Sequence, residues 1–409
     1  MQKEEKMIER YTAPVLQQAI MNARPWNLTA LILRISNLFP KIQQAFMELV
    51  EKIDDLPDPV AHLYNSLHEL GKEVEWWVRV IVYLAEKIVP NRLANAVLRF
   101  VINVILIPYF EIVNEKAFIK TKEKFEKDGS QIILDIVGEA AKTEEDAEQY
   151  MKSYEYVIRE FGGKMAVKPS SLIASSTFEK NTYEQNKELL KEKFARLFTA
   201  AKGRSDVEIT TDAEEYFDWC RLTEEAFLEA AMDERFRNMS NEPGIALQTY
   251  RKDALASAHD IINTAFKRGS ITHVRVVKGA YWNDEHKFAM RIGKDCPVHE
   301  TQEETNAMFN EVVALLMKYR KYIHVSVATH NAKNIAYAIN QANGDYTNFD
   351  FEVLTGMGES IRRVLRDLGV PVSVYCPLIR KCGTPKEGMR YLIRRLDEVA
   401  KSSHVLKNV

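Results

Sequence analysis

Eight short β-branched or apolar runs, set apart by helix-length stretches, constrain this chain more than any other feature. They are IILDIV (132–137), KMAVKP (164–169), VEITTD (207–212), IALQTY (245–250), HVRVVKG (273–279), HVSVATH (324–330), FDFEVL (349–354) and PVSVYC (371–376). Glu144 to Arg159, Glu214 to Ala231 and Thr301 to Tyr319 are helix-compatible stretches between them. Alternation of strands and helices implies parallel pairing through crossovers. Eight such units over about 270 residues match the size of a (β/α)8 barrel. A doubly wound sheet would carry a Gly-rich turn after its first strand. The stretch after Val137 reads GEAAKTEED, with one glycine, so the expected class is α/β with a TIM-like (β/α)8 barrel.

The residues ahead of the barrel have a different texture. Leu31, Ile35, Leu38, Ile42, Phe46 and Leu49 recur at helical spacing. The expected division is an all-helical region over 1–115 and the barrel over 116–409. Phe100 to Phe110 (FVINVILIPYF) is the most apolar stretch. It falls short of the roughly 20 residues that span a bilayer, so it reads as a buried helix or as a patch that touches a membrane. MQKEEKMIER lacks an apolar signal core, which makes the cytoplasm, with peripheral membrane association, the expected location. Fifty-six basic and 58 acidic residues give a net charge of −2, which argues against a nucleic-acid partner. Cys220, Cys296, Cys376 and Cys382 form no CxxC pair, so neither a disulfide framework nor a metal knuckle is expected.

In a barrel of this kind, catalytic groups come from the carboxyl ends of the strands. Asp135, Lys168, Asp212, Gln248, Arg275 with Lys278, Thr329-His330-Asn331 and Tyr375 all fall late in their runs or just beyond. Gly279 and Ala280, within Lys278-Gly279-Ala280-Tyr281-Trp282, let a flat or phosphorylated ligand approach the backbone. Near the C-terminus, KEGMRYLIRRLDE (386–398) has helical spacing, and Tyr391, Arg394, Arg395 and Glu398 share one face. That face reads as a solvated charged surface or as an anion clamp. In the second reading two adjacent guanidiniums hold a carboxylate by bidentate, charge-assisted hydrogen bonds. HExxH, GxxxxGK[ST] and GxSxG are absent, so the metalloprotease, P-loop and serine-hydrolase classes have no support.

Seven motifs combine in order: DIVGEA (135–140) with Glu145 to Tyr150, VRVVKGAYW (274–282), TQEETNAMF (301–309), ATHN (328–331), FEVLTGM (351–357), VYCP (374–377) and YLIRRLDE (391–398). Through them the chain resembles the proline dehydrogenase family over Lys116 to Glu398. Within that family it is similar to the proline dehydrogenase part of the bifunctional proline-utilisation flavoenzymes. The resemblance implies a distorted barrel that binds FAD non-covalently at the strand ends, with the last helix over the flavin. L-Proline would transfer a hydride from C5 to flavin N5, giving Δ1-pyrroline-5-carboxylate, and the electrons would pass to a membrane quinone. A separate pyrroline-5-carboxylate dehydrogenase is the implied partner. The short stretch after Glu398 has no room for that second half, so one activity, or a piece of a longer enzyme, is expected.

The resemblance also implies roles. Arg394 and Arg395, with Lys168, would bind the proline carboxylate, and Asp212 would stand beside the substrate. Tyr281, Leu354, Tyr375 and Tyr391 would surround its ring. Glu139 would close the site by pairing with Arg394. Gln248 and Arg275 would contact the isoalloxazine, with Arg275 near N5. Val277, Lys278, Gly279, Ala280 and Trp282 would line the cofactor backbone, and Thr329, His330 and Asn331 its adenosine side. Glu398 would orient the last helix or the ribityl chain. Tyr375 would crowd the hydroxyl of 4-hydroxyproline, so proline is the expected substrate. Oxidation of hydroxyproline or a related cyclic amino acid, and a non-catalytic flavin or amino-acid sensor, are the alternatives. Three departures from the family pattern are a long spacing between Tyr375 and Tyr391, Val399 where Asn usually follows the helix glutamate, and Gln302 where a basic residue is expected nearby.

Overall fold

The structure, a computed structural model, describes residues 13–22, 61, 65, 83, 93, 115–138, 140–237, 242–355 and 358–378. Eight parallel strands close into a barrel in sequence order. They are β1 (Gln131–Ile136), β2 (Gly163–Val167), β3 (Val207–Thr211), β4 (Gly244–Gln248), β5 (Thr272–Val277), β6 (Ile323–Ala328), β7 (Phe349–Leu354) and β8 (Val372–Leu378). Each expected strand is present; β7 has the expected ends, and the others shift by one or two residues. β2 stops at Val167 because Pro169, which has no N–H for a ladder, opens a 3-10 turn over Pro169–Ser171. β5 stops at Val277, short of the expected 279, and β6 at Ala328, short of 330.

Three of the helices between strands begin at capping boxes that the sequence provides. Thr143 with Asp146, Thr182 with Gln185 and Thr301 with Glu304 form capping boxes for helices Glu144–Glu160, Tyr183–Ala201 and Gln302–Met317. One expected helix differs. Glu214 to Ala231 is not continuous: a π-helical turn, Tyr216–Cys220, leads into the helix Arg221–Met232. Glu214 stays outside because its carboxylate turns back to the backbone N–H and hydroxyl of Ser170.

The strands alternate cleanly between two environments, as a period of two requires. Ile132, Leu134, Met165, Val167, Val274, Val276, Val325, Val327, Phe351 and Val353 join the large apolar core. The other set faces across the barrel. Lys164 of β2 reaches Asp350 of β7 at 3.3 Å, and Arg275 of β5 reaches both Asp212, after β3, and Glu352 of β7. The barrel lumen is therefore charged, and among the described residues Ile133, Ala166, Leu354 and Tyr375 form an apolar cluster inside it. Gly244 makes room in this layer. A Cβ there would lie 2.3 Å from Thr210 Oγ1 and 2.6 Å from His273 Nδ1.

Every described residue ahead of 115 is helical. Helix Ala13–Asn22 buries Leu16 and Ile20 in the core outside the barrel, against helices Ala332–Ala342 and Glu359–Asp367. The expected patch Phe100 to Phe110 lies outside the described residues. Among the described residues, no helix is long and apolar enough to cross a membrane.

Candidate active site

The carboxyl ends of the strands gather one connected set of polar side chains. Lys168, just past β2, donates from Nζ to Asp135 Oδ1 at 2.6 Å and to the Ile136 carbonyl at 3.2 Å. Asp212, just past β3, accepts from Arg275 Nη1 at 2.5 Å and from the Tyr375 hydroxyl at 3.0 Å. Arg275 is 4 % exposed and is gripped on its other side by Glu352 through Nε. Its guanidinium carbon lies 5.2 Å from the centre of the Tyr375 ring. Two acids on one guanidinium outweigh the burial that disfavours its charge, so Arg275 is held charged. Burial pushes the Asp212 carboxyl above its ordinary value, and Asp135 adds to this against the opposing pull of Arg275 and Lys168.

Several buried polar atoms here have no hydrogen-bond partner: Asp135 Oδ2, Gln248 Oε1 and Arg275 Nη2. Gln248 spends its amide N–H on the Ala213 carbonyl at 3.3 Å, which leaves its oxygen turned elsewhere. Such atoms cost free energy when buried alone, so they mark where a bound molecule adds the missing partners. Leu354 and Tyr375 are neighbours in register and share an apolar cluster with Ile133 and Ala166.

The loop after β5 is fixed by its backbone. The Val277 and Lys278 carbonyls accept from the Thr249 and Tyr250 N–H groups at 2.8 and 2.7 Å. Gly279 adopts φ +123, and a Cβ there would sit 2.6 Å from the Tyr250 ring, so this glycine is required by Tyr250 itself. Burial lowers the Lys278 amine to about 8. Ala280 is exposed, and Tyr281 precedes helix Trp282–Ile292. Trp282 donates from Nε1 to the His299 carbonyl at 2.7 Å. After β6, Thr329 Oγ1 accepts the Asn331 N–H, and Asn331 Oδ1 caps helix Ala332–Ala342 through Lys333 and Asn334. His330 Nε2 accepts the Leu354 N–H at 3.3 Å, which ties the ends of β6 and β7.

Structure thus brings Lys168, Asp212, Arg275, Leu354 and Tyr375 together. Glu139, Tyr391, Arg394, Arg395 and Glu398 lie outside the described residues. Glu352 is a participant that the sequence reading did not single out, and Asp135, noted there as a strand-end acid, received no role. Both carry a signal: an acid at an inward position of a strand whose alternate residues are apolar.

A proline dehydrogenase family model matches residues 118–408. The chain belongs to the proline dehydrogenase family. Over 292 residues it is 28% identical to the bifunctional protein PutA of Escherichia coli, covering 67% of this chain and 22% of that relative. Over 207 residues it is 30% identical to the mitochondrial proline dehydrogenase 2 of Arabidopsis thaliana, covering 47% of this chain and 41% of the plant protein. Among solved structures, proline utilization A from Bdellovibrio bacteriovorus, inactivated by N-propargylglycine, superposes with a TM-score of 0.78 at 21% identity. That match covers 99% of this chain and 42% of the Bdellovibrio chain, and it speaks to the fold. The chain spans less than half the length of each of these relatives.

Proposed function

We propose that the barrel mouth oxidises L-proline to Δ1-pyrroline-5-carboxylate using non-covalently bound FAD. The observation that carries this reading is the linked set Asp135–Lys168 and Tyr375–Asp212–Arg275–Glu352 at the strand ends of a proline dehydrogenase barrel. The donor and acceptor atoms fit a flavin. Gln248 Oε1 offers an acceptor and Arg275 Nη2 a donor, matching a ring edge that carries both kinds of group. When bound, FAD supplies the hydride acceptor, chemistry that no side chain here provides.

The chain's own residues do the rest. Lys168 presents an ammonium held by Asp135, a fixed cation for the substrate carboxylate, and Arg394 and Arg395 complete the clamp. Leu354 and Tyr375 supply an apolar wall that orients the ring. Arg275, pinned between two acids, keeps a fixed positive charge where negative charge builds up. Val277 to Ala280, Trp282 and Thr329 to Asn331 hold the cofactor outside the ring, and Glu398 and Glu139 order and close the site. A quinone is the acceptor in this reading, the protein meets it at the membrane surface, and a separate dehydrogenase takes the product.

An anaerobic absorbance titration with L-proline tests it. Flavin peaks that bleach on addition, with a much weaker response in Arg394→Met, are the expected result. Bound flavin that stays oxidised points to another substrate or a sensor. Protein that cannot be reconstituted with FAD overturns the reading. Faster reduction by 4-hydroxyproline than by proline overturns the role given to Tyr375.

A further inference from the structure

Beyond the barrel lumen, helix Trp282–Ile292 and the loop after it gather three donors of different chemistry. His286, Cys296 and Glu300 place one ligand atom each within 4.8 Å of one another. His286 Nδ1 lies 3.6 Å from Glu300 Oε2. The opposite ring nitrogen, Nε2, faces the His299 carbonyl at 3.4 Å. A carbonyl only accepts, so Nε2 carries the proton, and in the neutral ring Nδ1 is left as a lone pair. A lone pair aimed at a carboxylate, with a thiol beside both, is an arrangement that a cation satisfies. A backbone carbonyl that fixes the tautomer of a histidine is also the usual support behind a metal ligand.

The frame around these donors is fixed. Lys252 N donates to the Pro297 carbonyl at 2.9 Å and His299 N to the Tyr250 carbonyl at 2.7 Å, and Arg251 bridges Val298 in antiparallel fashion. Lys252 Nζ holds the Cys296 carbonyl at 2.9 Å. Trp282 donates to the His299 carbonyl and packs its ring 4.1 Å from that of His286. Glu300 divides its oxygens. Oε1 faces Lys252 at 3.7 Å and Oε2 faces His286.

From this geometry we propose that His286, Cys296 and Glu300 form a zinc site with three protein ligands and one open position. Cys296 binds as the thiolate and releases its proton to solvent. Nitrogen, sulfur and carboxylate oxygen together are a zinc donor set. Metal–ligand distances of about 2.0–2.3 Å put tetrahedral donors roughly 3.3–3.8 Å apart. Donor atoms within 4.8 Å of one another reach that spacing through small side-chain rotations, which the half-buried His286 and Cys296 and the exposed Glu300 allow. Among the described residues a second mixed donor group, Glu208, Glu242 and His324, is the weaker candidate because the Lys164 ammonium already stands 3.5 Å from Glu208. Cysteine spacing gave no hint of the site, since its ligands come from a helix and a loop rather than a CxxC pair.

The test titrates chelator-treated full-length protein with zinc chloride against a competing chromophoric chelator. The expected result is one equivalent bound, with affinity lowered at least about tenfold in each of His286→Gln, Cys296→Ser and Glu300→Gln. Glu300→Gln changes an exposed side chain and keeps the comparison valid if either other variant folds poorly. In a Cys382→Ser background, zinc is expected to slow alkylation of Cys296 at least tenfold. Zinc binding that is equal in the parent and all three variants overturns the site. So does a Cys296 alkylation rate that zinc leaves unchanged, the outcome if His286 is protonated and simply pairs with Glu300.

Discussion

The floor and the mouth of the barrel both bury carboxyl groups, and they shift them in opposite directions. At the floor, burial alone would raise Asp350 and Glu208. Lys164 and His324 outweigh it at Asp350, which is held well below the usual carboxylate range. His273 and Lys164 outweigh it at Glu208, which falls to about 2. At the mouth burial wins. Asp212 is raised despite Arg275 and Lys168. Glu214, whose donors both come from Ser170 and whose neighbours include Glu215 and Asp212, is pushed up to about 7. Depth is therefore not what sets these acids apart; the supply of fixed cations is. A self-compensated floor closes the barrel, whereas a mouth short of partners is prepared for a ligand that brings charge with it.

The largest expected effect lies at the floor. Lys164→Met leaves Asp350 and Glu208 without their shared cation, and urea unfolding at neutral pH should show a loss of about 3–5 kcal/mol. Adding Asp350→Asn should recover part of it, because the two residues are in contact. A loss below about 1 kcal/mol would mean that the floor is not an ion-paired unit. The mouth should behave in reverse. Asp212→Asn removes a buried carboxylate whose charged form is disfavoured, so stability should hold or rise. Its kcat/KM for L-proline should fall about a hundredfold, since Arg275 and Tyr375 lose their common anchor. Similar stability losses in the two variants would erase the distinction.

The barrel was legible because its apolar strand faces and capped helices repeat a simple period. Lys168, Asp212, Gln248, Arg275 and Tyr375 were legible because strand ends are where such a fold exposes chemistry. The floor was not. Lys164, Glu208, His273 and Asp350 sit at alternate positions inside runs that read as ordinary half-buried strands. Their sequence pattern is equally that of a sheet with one wet face. Only closure of the barrel turns that wet face inward and makes the charges meet. Glu214 escaped for a local reason. Helix propensity includes it in the following helix, but its bonds to Ser170 hold it outside.

Glu214 gives the next effect in size, one that depends on pH. Its ordinary value is 4.5 and its folded value about 7, so the folded state keeps a proton that the unfolded chain has lost. The stabilisation is full below 4.5 and is lost as pH rises through 7. A shift of this size corresponds to about 3 kcal/mol. Glu214→Gln mimics the protonated form. Its unfolding free energy should match the parent at pH 4 and exceed it by about that amount at pH 8. Parallel curves across this range would show that Glu214 is ionised throughout and that the mouth is better compensated than its geometry indicates.

The smallest effect is the sharpest test of coupling at the mouth. Tyr375→Phe deletes one hydrogen bond to Asp212 and keeps the ring that packs on Ile133, Ala166 and Leu354 and lies beside Arg275. Loss of one such bond costs about 1 kcal/mol, so kcat/KM should fall less than about tenfold. The informative readout is the acid limb of the pH profile. The Tyr375 hydroxyl lowers the Asp212 carboxyl, so removing it raises an already elevated group. The acid limb should move to higher pH in Tyr375→Phe and disappear in Asp212→Asn. A limb that moves in neither variant belongs to another group, which would leave Asp212 ionised across the working range and its buried charge fully carried by Arg275.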